Sequence, residues 1–355
     1  MNTTQQLHDL GQSLWLDNIT RALLTSGMLS RYIKEFSVTG LTSNPSIFDK
    51  AIAGAGVYDE AIRKKAAEGK SGEALFFELA LEDLTAAADL FRPVHDATAG
   101  IDGWVSLEVS PLLSDDSAST IEAAKQLHAR AQRPNLFIKI PGTAAGLPAI
   151  EESIFAGVPI NVTLLFSREQ YLAAATAYMR GIERRIAAGL SPNVASVASL
   201  FVSRWDVAVK DQVAEAFRNR LGIAVAIRTD QAYRDLLASP RWQKLAAAGA
   251  QTQRLLWAST GTKDPAAPDV LYVEALAAPG TINTIPEKTL HAFAEHGRVH
   301  NAAFDQGDAK ALLAEFTQLG IDVDALAARL QSEGTAAFTK SWSELMQRIA
   351  AKSHG

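Results

Sequence analysis

The sequence contains no cysteine. Disulfide bonds, thiolate catalysis and cysteine-ligated metal sites are therefore excluded, and the composition fits a reducing compartment. There is also little excess of charge of one sign: the net charge is −5, and lysines and arginines occur singly or in short runs, the pair Arg184-Arg185 and Lys64-Lys65 after Arg63 among them. This pattern argues against a nucleic-acid or anionic-membrane surface, so neither kind of partner is expected.

Long apolar runs are missing as well. No stretch approaches the roughly 18 uninterrupted apolar residues that a membrane span needs. The first ten residues have neither the basic nor the apolar region of a signal peptide. We therefore expect a cytoplasmic protein. The 355 residues, 48% of them hydrophobic, are enough for an α/β barrel of about 250 residues with roughly a hundred left for additional helices.

Short apolar segments of strand length alternate with longer Ala- and Leu-rich segments up to about residue 286. This alternation is typical of a parallel α/β fold, and eight strands close a barrel. The predicted strands span residues 13–17, 36–42, 103–109, 136–140, 159–165, 195–202, 254–259 and 270–275. Helices are predicted over residues 72–92, 117–132, 144–155, 167–188 and 204–220, with N-caps such as Ser167 and Ser46.

The predicted architecture is thus a (β/α)8 TIM barrel within one domain, residues 1–355. The barrel occupies about 13–286, and additional helices at about 287–352 pack on its exterior or cover one end. The competing α/β architecture is a doubly wound open sheet, which usually carries Gly-x-Gly-x-x-Gly after its first strand. Gly54-Ala-Gly56 lacks the third glycine and follows a helical segment, so the barrel is favoured.

The fourth predicted strand contains one lysine in an otherwise apolar run. Side chains alternate on a strand, so Leu136, Ile138 and Ile140 share one face while Phe137 and Lys139 share the other. Desolvation favours a neutral amine, which can attack a carbonyl to form a Schiff base. The alternative is that Lys139 lies near the strand end and extends its ammonium into water.

Polar side chains recur at the C-terminal ends of the predicted strands, where barrel enzymes keep their active sites. Each has an ordinary structural alternative, such as a helix cap, a turn former or a β-branched strand residue. Unpaired polar groups inside a barrel are costly, so their coincidence around one lysine predicts a common ligand. The residues are Asp17, Asn44, Glu108, Lys139, Asn161, Thr163, Ser199 and Ser259.

Four segments of the chain resemble the sequence blocks of the transaldolase family, in its longer bacterial form, and follow the family's order. They are Gly40-Leu-Thr-Ser-Asn-Pro-Ser-Ile-Phe48, Val105-Ser-Leu-Glu-Val109, Ile138-Lys-Ile-Pro-Gly-Thr-Ala-Ala-Gly-Leu-Pro-Ala-Ile150 and Asn161-Val-Thr-Leu-Leu-Phe-Ser167. The resemblance implies a class I aldolase on an α/β barrel that needs no cofactor. Such an enzyme transfers a dihydroxyacetone unit from sedoheptulose 7-phosphate to glyceraldehyde 3-phosphate, giving erythrose 4-phosphate and fructose 6-phosphate in the non-oxidative pentose phosphate pathway.

The resemblance also implies catalytic roles, residue by residue. Lys139 matches the Schiff-base lysine of the family. Asp17 matches the base that takes the C4 hydroxyl proton when the C3–C4 bond breaks and later returns it. Glu108 and Thr163 match the residues that hold the water used in dehydrating the carbinolamine.

Three further matches concern the dihydroxyacetone part of the substrate. Asn44 and Asn161 match the residues that grip its hydroxyls. Ser199 falls at the serine of the family's Ser-x-Phe-Val block and is expected to contact the C1 hydroxyl.

The substrate phosphate is expected to contact Arg204, Ser259 and Lys263. Arg204 matches a phosphate-binding arginine of the family, although Ser203 stands where shorter members commonly carry glycine. It begins a predicted helix, a favourable place for an anion. Ser259 matches a phosphate-binding serine. Gly261 stands where shorter members have an arginine, and Lys263 is expected to replace it.

Two alternatives stay open. One is a related aldolase, similar to fructose 6-phosphate aldolase, that releases free dihydroxyacetone to water; the other is a non-catalytic barrel that binds sugar phosphates. A metal site is not expected. His296 and His300 are four residues apart, but Gly297 interrupts the helix between them and no His-Glu-x-x-His pattern is present.

Overall fold

The computed structural model describes residues 2–54, 56–300, 304 and 306–353. Within these residues, eight parallel strands pair in chain order and close into a barrel. The predicted TIM-barrel fold is confirmed. The strands are β1 (Ser13–Asp17), β2 (Val38–Thr42), β3 (Trp104–Glu108), β4 (Leu136–Pro141), β5 (Ile160–Leu165), β6 (Ser196–Phe201), β7 (Arg254–Ala258) and β8 (Ile282–Ile285).

Sixteen α-helices lie within the described residues, most of them around the barrel. None of those helices combines the length and apolarity required to cross a membrane. They are α1 (Thr3–Asp9), α2 (Arg21–Thr25), α3 (Met28–Glu35), α4 (Pro45–Ala53), α5 (Asp59–Ala67), α6 (Gly72–Ala97), α7 (Ser117–Ala131), α8 (Gly146–Phe155), α9 (Arg168–Ala187), α10 (Ser203–Val209), α11 (Leu221–Ala238), α12 (Pro240–Ala247), α13 (Leu271–Ala275), α14 (Glu287–His296), α15 (Gln306–Gln318) and α16 (Val323–Ser353).

The alternation of side chains on the strands separates two apolar clusters. On β4, Leu136, Ile138 and Ile140 belong to the large cluster formed with the surrounding helices. Phe137, from the opposite face, packs with Trp15 and Trp104, and the rings of Phe137 and Trp104 stack with centroids 4.0 Å apart. Aromatic residues thus fill the lower part of the barrel, and Lys139 lies one inward position above them.

The predicted eighth strand at residues 270–275 is wrong. All of those residues but Val270 form α13 (Leu271–Ala275), and the barrel closes instead with β8, in which Asn283 pairs with Trp257 of β7. A short apolar run does not distinguish a strand from a buried helix turn. Here Val270 and Val273 are both buried. Residues three apart share a face of a helix, whereas on a strand they point to opposite faces.

The predicted helix at 204–220 is also wrong beyond its first turns. The chain leaves α10 after Val209, passes through a short 3-10 helix (Glu215–Phe217) and begins α11 at Leu221. The cap assigned to Ser46 belongs to Asn44, whose side chain accepts from the Ile47 N–H at 3.0 Å, so that Pro45 occupies the first helical position.

The last helix, α16, crosses the C-terminal end of the barrel. Its residue Phe338 lines the cavity at that end. Gly334 lies so close to β5 that a Cβ atom there would meet Leu164 Cδ2 at 3.0 Å. Away from the barrel, Arg348 pairs with Asp49 of α4 at 2.8 Å. The helices after β8 therefore include one that roofs the barrel mouth.

A buried carboxylate, Asp206, joins α10 to its neighbours. It accepts from the Leu221 N–H at 2.9 Å and from the Tyr272 hydroxyl at 2.8 Å. Burial raises the pKa of Asp206 to about 6 in spite of these hydrogen bonds. Because the folded pKa lies above the unfolded one, the folded state binds more protons between about pH 4 and pH 6. Deprotonation of Asp206 therefore lowers the free energy of unfolding as the pH rises through that window.

We predict that Asp206→Asn removes this pH dependence, since the amide oxygen still accepts from the backbone but cannot ionise. Between pH 4 and pH 7 the free energy of unfolding of the wild type should fall by about 3 kcal/mol relative to the variant. Urea denaturation at several pH values measures this difference. Asp211→Asn, at an exposed position, should follow the wild-type curve; parallel curves for wild type and Asp206→Asn would contradict the prediction.

Candidate active site

The C-terminal ends of the strands surround a cavity of about 170 Å³. Of the ten predicted site residues, eight line it: Asp17, Asn44, Lys139, Thr163, Ser199, Arg204, Ser259 and Lys263. The other two lie directly beside these residues, because Glu108 contacts Lys139 and Asn161 contacts Ser199. The cavity wall also contains positions that sequence reasoning missed: Thr42, Ser46, Phe201, Ala258, Gly261, Thr284, Pro286 and Phe338.

Lys139 and Glu108 form a buried pair. They are register partners on β3 and β4, so their side chains leave the barrel wall at the same height. Lys139 Nζ lies 3.2 Å from Glu108 Oε2 and donates to the Ser43 carbonyl oxygen at 3.1 Å. The side chains of Lys139 and Glu108 are 6% and 5% exposed. The lysine thus lies inside the barrel rather than reaching the surrounding water.

The two carboxylates of the site are both harder to ionise than usual. Burial raises the pKa of Glu108, and the nearby Lys139 opposes that shift. Burial also raises the pKa of Asp17, against the lowering effect of Lys139 and of a hydrogen bond from Thr42. A carboxyl group with a raised pKa can take up and return a proton more readily near neutral pH.

Thr163 supplies an unused hydroxyl. Its side chain is fully buried, lines the cavity, and its Oγ1 has no hydrogen-bond partner among the described residues. A buried hydroxyl without a partner is costly, so it points to a ligand or a water molecule at this position.

Asn161 holds a fixed orientation on β5. Its Nδ2 donates to Ser106 Oγ at 3.1 Å, and its Oδ1 accepts from Ser199 Oγ at 2.7 Å. These two hydrogen bonds connect three strands of the barrel wall, β3, β5 and β6. The Ser199 hydroxyl, which lines the cavity, is thereby directed by Asn161.

Asn44 has two functions in the structure. Its Oδ1 caps α4 by accepting from Ile47, and the residue also lines the cavity. Because the oxygen is used by the helix, the amide nitrogen is the donor that Asn44 can offer to a bound molecule.

The three predicted phosphate ligands follow the adjacent strands β6 and β7 in the chain. Arg204 is half-buried beside Phe201, and burial lowers its pKa while Glu333 of α16 opposes that effect. Ser259 shares a hydrogen bond with Ser203 at 2.9 Å between the two Oγ atoms. Lys263 is exposed at the rim. A cation-bearing rim of this kind suits an anionic group on a substrate.

Thr42 is the clearest functional contact that the sequence did not reveal. Its Oγ1 donates to Asp17 Oδ1 at 2.8 Å and lies 2.6 Å from Thr284 Oγ1 of β8. Thr42 is the register partner of Asp17 on the adjacent strand. The sequence shows that each residue ends a strand, but the contact can be inferred only once the register between β1 and β2 is known.

We predict that Thr42→Val raises the pKa of Asp17, because the variant keeps the shape of the side chain but removes the donor that favours the ionised carboxylate. The carboxyl carbon resonance of Asp17, followed by NMR in protein labelled with ¹³C-aspartate, reports the titration. Thr39→Val on the same strand, where the hydroxyl has no partner among the described residues, should leave it unchanged. A titration of Asp17 that does not move in Thr42→Val would contradict the assignment.

Comparison with known sequences covers nearly the whole chain. Residues 14–349 match the family described as Transaldolase/Fructose-6-phosphate aldolase. A transaldolase of Parafrankia sp. (strain EAN1pec) is 46% identical over 350 residues, which is 96% of this chain and 95% of the relative. Transaldolase 1 of Streptomyces avermitilis is 44% identical, with 99% and 96% covered, and the transaldolase of Neisseria gonorrhoeae is 42% identical, with 98% and 99% covered. The geometry of the barrel mouth and these similarities lead to one conclusion: the chain belongs to the transaldolase/fructose-6-phosphate aldolase family.

Proposed function

We propose that this protein is a transaldolase in which Lys139 forms a Schiff base with the C2 carbonyl of a ketose phosphate. It transfers a dihydroxyacetone unit from sedoheptulose 7-phosphate to glyceraldehyde 3-phosphate, and it releases erythrose 4-phosphate and fructose 6-phosphate. The observation that most supports this proposal is the buried contact of 3.2 Å between Lys139 and Glu108. Lys139 lines the same cavity as Asp17.

The first step is attack of the lysine nitrogen on C2. Glu108, whose pKa is raised by burial, is the neighbouring group that can take a proton from Lys139 and leave a neutral amine. A nitrogen–carbon bond forms, the carbonyl oxygen gains a proton, and the carbinolamine then loses water. Thr163 and Glu108 hold the water molecule that carries protons in this dehydration.

The second step breaks the C3–C4 bond. Asp17 takes the proton of the C4 hydroxyl, the aldehyde leaves, and the electron pair of the broken bond moves to the positively charged imine nitrogen to give an enamine. The acceptor aldehyde then reacts with the enamine, and Asp17 returns the proton to the new C4 oxygen. Hydrolysis of the imine releases the product ketose.

The remaining site residues bind rather than react. Asn44, Asn161 and Ser199 hold the hydroxyl groups of the dihydroxyacetone unit, so that the enamine stays oriented until an acceptor arrives. Arg204, together with Ser259 and Lys263, binds the phosphate of the substrate. The direction of Ser199 by Asn161 supports this division, since the serine hydroxyl faces the cavity from a fixed position.

We predict that borohydride, added with fructose 6-phosphate, leaves one reduced three- or six-carbon adduct on Lys139, because reduction traps the imine. Peptide mass spectrometry locates the adduct. Lys139→Met should remain unmodified and inactive, whereas Lys125→Met, at a surface lysine that is 40% exposed, should be labelled like the wild type. A wild-type protein that stays unmodified would overturn the proposed chemistry.

The acceptor separates transfer from simple aldol cleavage. With fructose 6-phosphate as donor, a transaldolase turns over only when an aldehyde such as erythrose 4-phosphate is supplied. Release of free dihydroxyacetone at a comparable rate without an acceptor would favour the aldolase alternative within the same family. Binding of fructose 6-phosphate with no turnover in either condition would favour a non-catalytic barrel.

We predict different losses from the two cationic ligands of the phosphate. Arg204→Met should lower kcat/KM by roughly tenfold to a hundredfold, because it removes a charge-assisted contact from a half-buried position. Lys263→Met should lower it only a few-fold, with a loss that shrinks at high salt, because an exposed charge is screened. Steady-state kinetics at two salt concentrations measure both. Lys340→Met, which removes an equal charge from an exposed position of α16, should match the wild type; an equal loss there would contradict the assignment.

A further inference from the structure

One side chain of the roof helix reaches the ends of two strands. Gln331 of α16 directs its Nε2 to two carbonyl oxygens, that of Gly142 at 3.1 Å and that of Leu164 at 3.0 Å. Gly142 directly follows β4, and Leu164 belongs to β5. Because a side-chain amide nitrogen has two hydrogens, these two acceptors use its whole donor capacity. Gln331 thus joins the strand of Lys139 to the strand of Thr163.

The backbone at Leu164 is unusual. Its φ angle of 57° lies in the left-handed region, and the pairing of β5 with β6 is irregular between Val162 and Leu165. A leucine keeps such a conformation only when its surroundings hold it there. Two contacts from α16 do so: the hydrogen bond from Gln331 to the Leu164 carbonyl, and the close packing of Gly334 against the Leu164 side chain.

Thr163 immediately precedes this irregular residue. Its carbonyl oxygen accepts from the Gly142 N–H at 2.8 Å, but its hydroxyl has no partner among the described residues. No side-chain hydrogen bond therefore orients the Thr163 Oγ1. The position of the hydroxyl depends on the backbone, and Gln331 forms hydrogen bonds to that backbone at Leu164, the next residue, and at Gly142 on the adjacent strand.

We propose that Gln331 is a positioning residue for the reaction: it fixes the backbone around Leu164 and so directs the Thr163 hydroxyl toward the water of imine formation. This inference rests on the proposed function of Thr163. It assigns to α16 a part in the chemistry and not only in covering the site. Gln331 itself does not line the cavity and touches no reacting atom.

Loss of the Gln331 side chain should slow imine formation without weakening substrate binding. If Gln331 is removed, the Thr163 hydroxyl is no longer held, and imine formation and hydrolysis slow down. The binding of the ketose through Arg204 and Ser199 does not depend on Gln331, so KM should hardly change. A loss of kcat with an unchanged KM separates this role from a general loosening of the site.

The test uses Gln331→Met, which keeps the length and helical preference of the side chain but has no donor. At saturating fructose 6-phosphate, and at borohydride concentrations above which inactivation becomes no faster, imine formation limits the rate of inactivation, and this rate should fall by about tenfold. The KM for fructose 6-phosphate should stay within about twofold of the wild type. The double variant Gln331→Met with Thr163→Val should be no slower than Thr163→Val alone, because the two changes act through one hydroxyl.

Three further variants serve as controls. Arg348→Met breaks another contact of α16, the pair with Asp49, and should leave the inactivation rate unchanged. Gln331→Lys retains N–H donors for the two carbonyl oxygens and should recover most of the rate. Gln331→Glu has no such donor and should be slower than Gln331→Lys. This pair of variants replaces Gln331→Met if the methionine variant does not fold.

Several results would overturn the inference. These are additive losses in the double variant, an equal loss in Arg348→Met, a rise in KM that accounts for the loss, or equal rates in Gln331→Lys and Gln331→Glu. A wild-type rate in Thr163→Val would instead remove the proposed function of Thr163, and the inference with it. The Thr163→Val measurement alone therefore distinguishes the two failures.

Discussion

The proposed chemistry depends on one costly contact, the buried pair of Lys139 and Glu108. Two ionisable groups removed from water lose hydration free energy that their mutual attraction offsets only in part, so such a pair contributes little to stability. Here the pair is placed by strand register, with the two residues side by side on β3 and β4. The same burial that makes it costly raises the pKa of Glu108, which is what an exchange of protons with the amine requires.

The rest of the barrel supports this pair in layers. Aromatic rings of Trp15, Trp104 and Phe137 fill the barrel below it, so the polar groups of the next layer are directed to the open end. That layer is cross-linked by hydrogen bonds between strands, from Thr42 to Asp17 and from Ser199 to Asn161. Above it, α16 crosses the mouth of the barrel, and its residue Phe338 lines the cavity. The proposed enamine intermediate must be kept from water until an acceptor arrives, and an enclosed site of this kind suits that requirement.

The sequence predicted the parts of this arrangement that follow from local periodicity. Alternation on the fourth strand placed Lys139 opposite the helix-facing residues, and strand ends located six of the sixteen residues that line the cavity. The prediction was wrong at residues 270–275, because a short apolar run fits a helix turn as well as a strand. Contacts between distant segments could not be predicted from the sequence. Gln331 forms a hydrogen bond to Gly142, 189 residues earlier in the chain, because the fold brings α16 to the end of β4.

A crystal structure of the protein soaked with fructose 6-phosphate can show whether Lys139 is the nucleophile of the reaction. We expect continuous electron density from Lys139 Nζ to C2 of the sugar, with the phosphate at Arg204 and the nitrogen displaced from its contact with Glu108. Sugar density elsewhere in the molecule, with Lys139 still paired to Glu108, would contradict it.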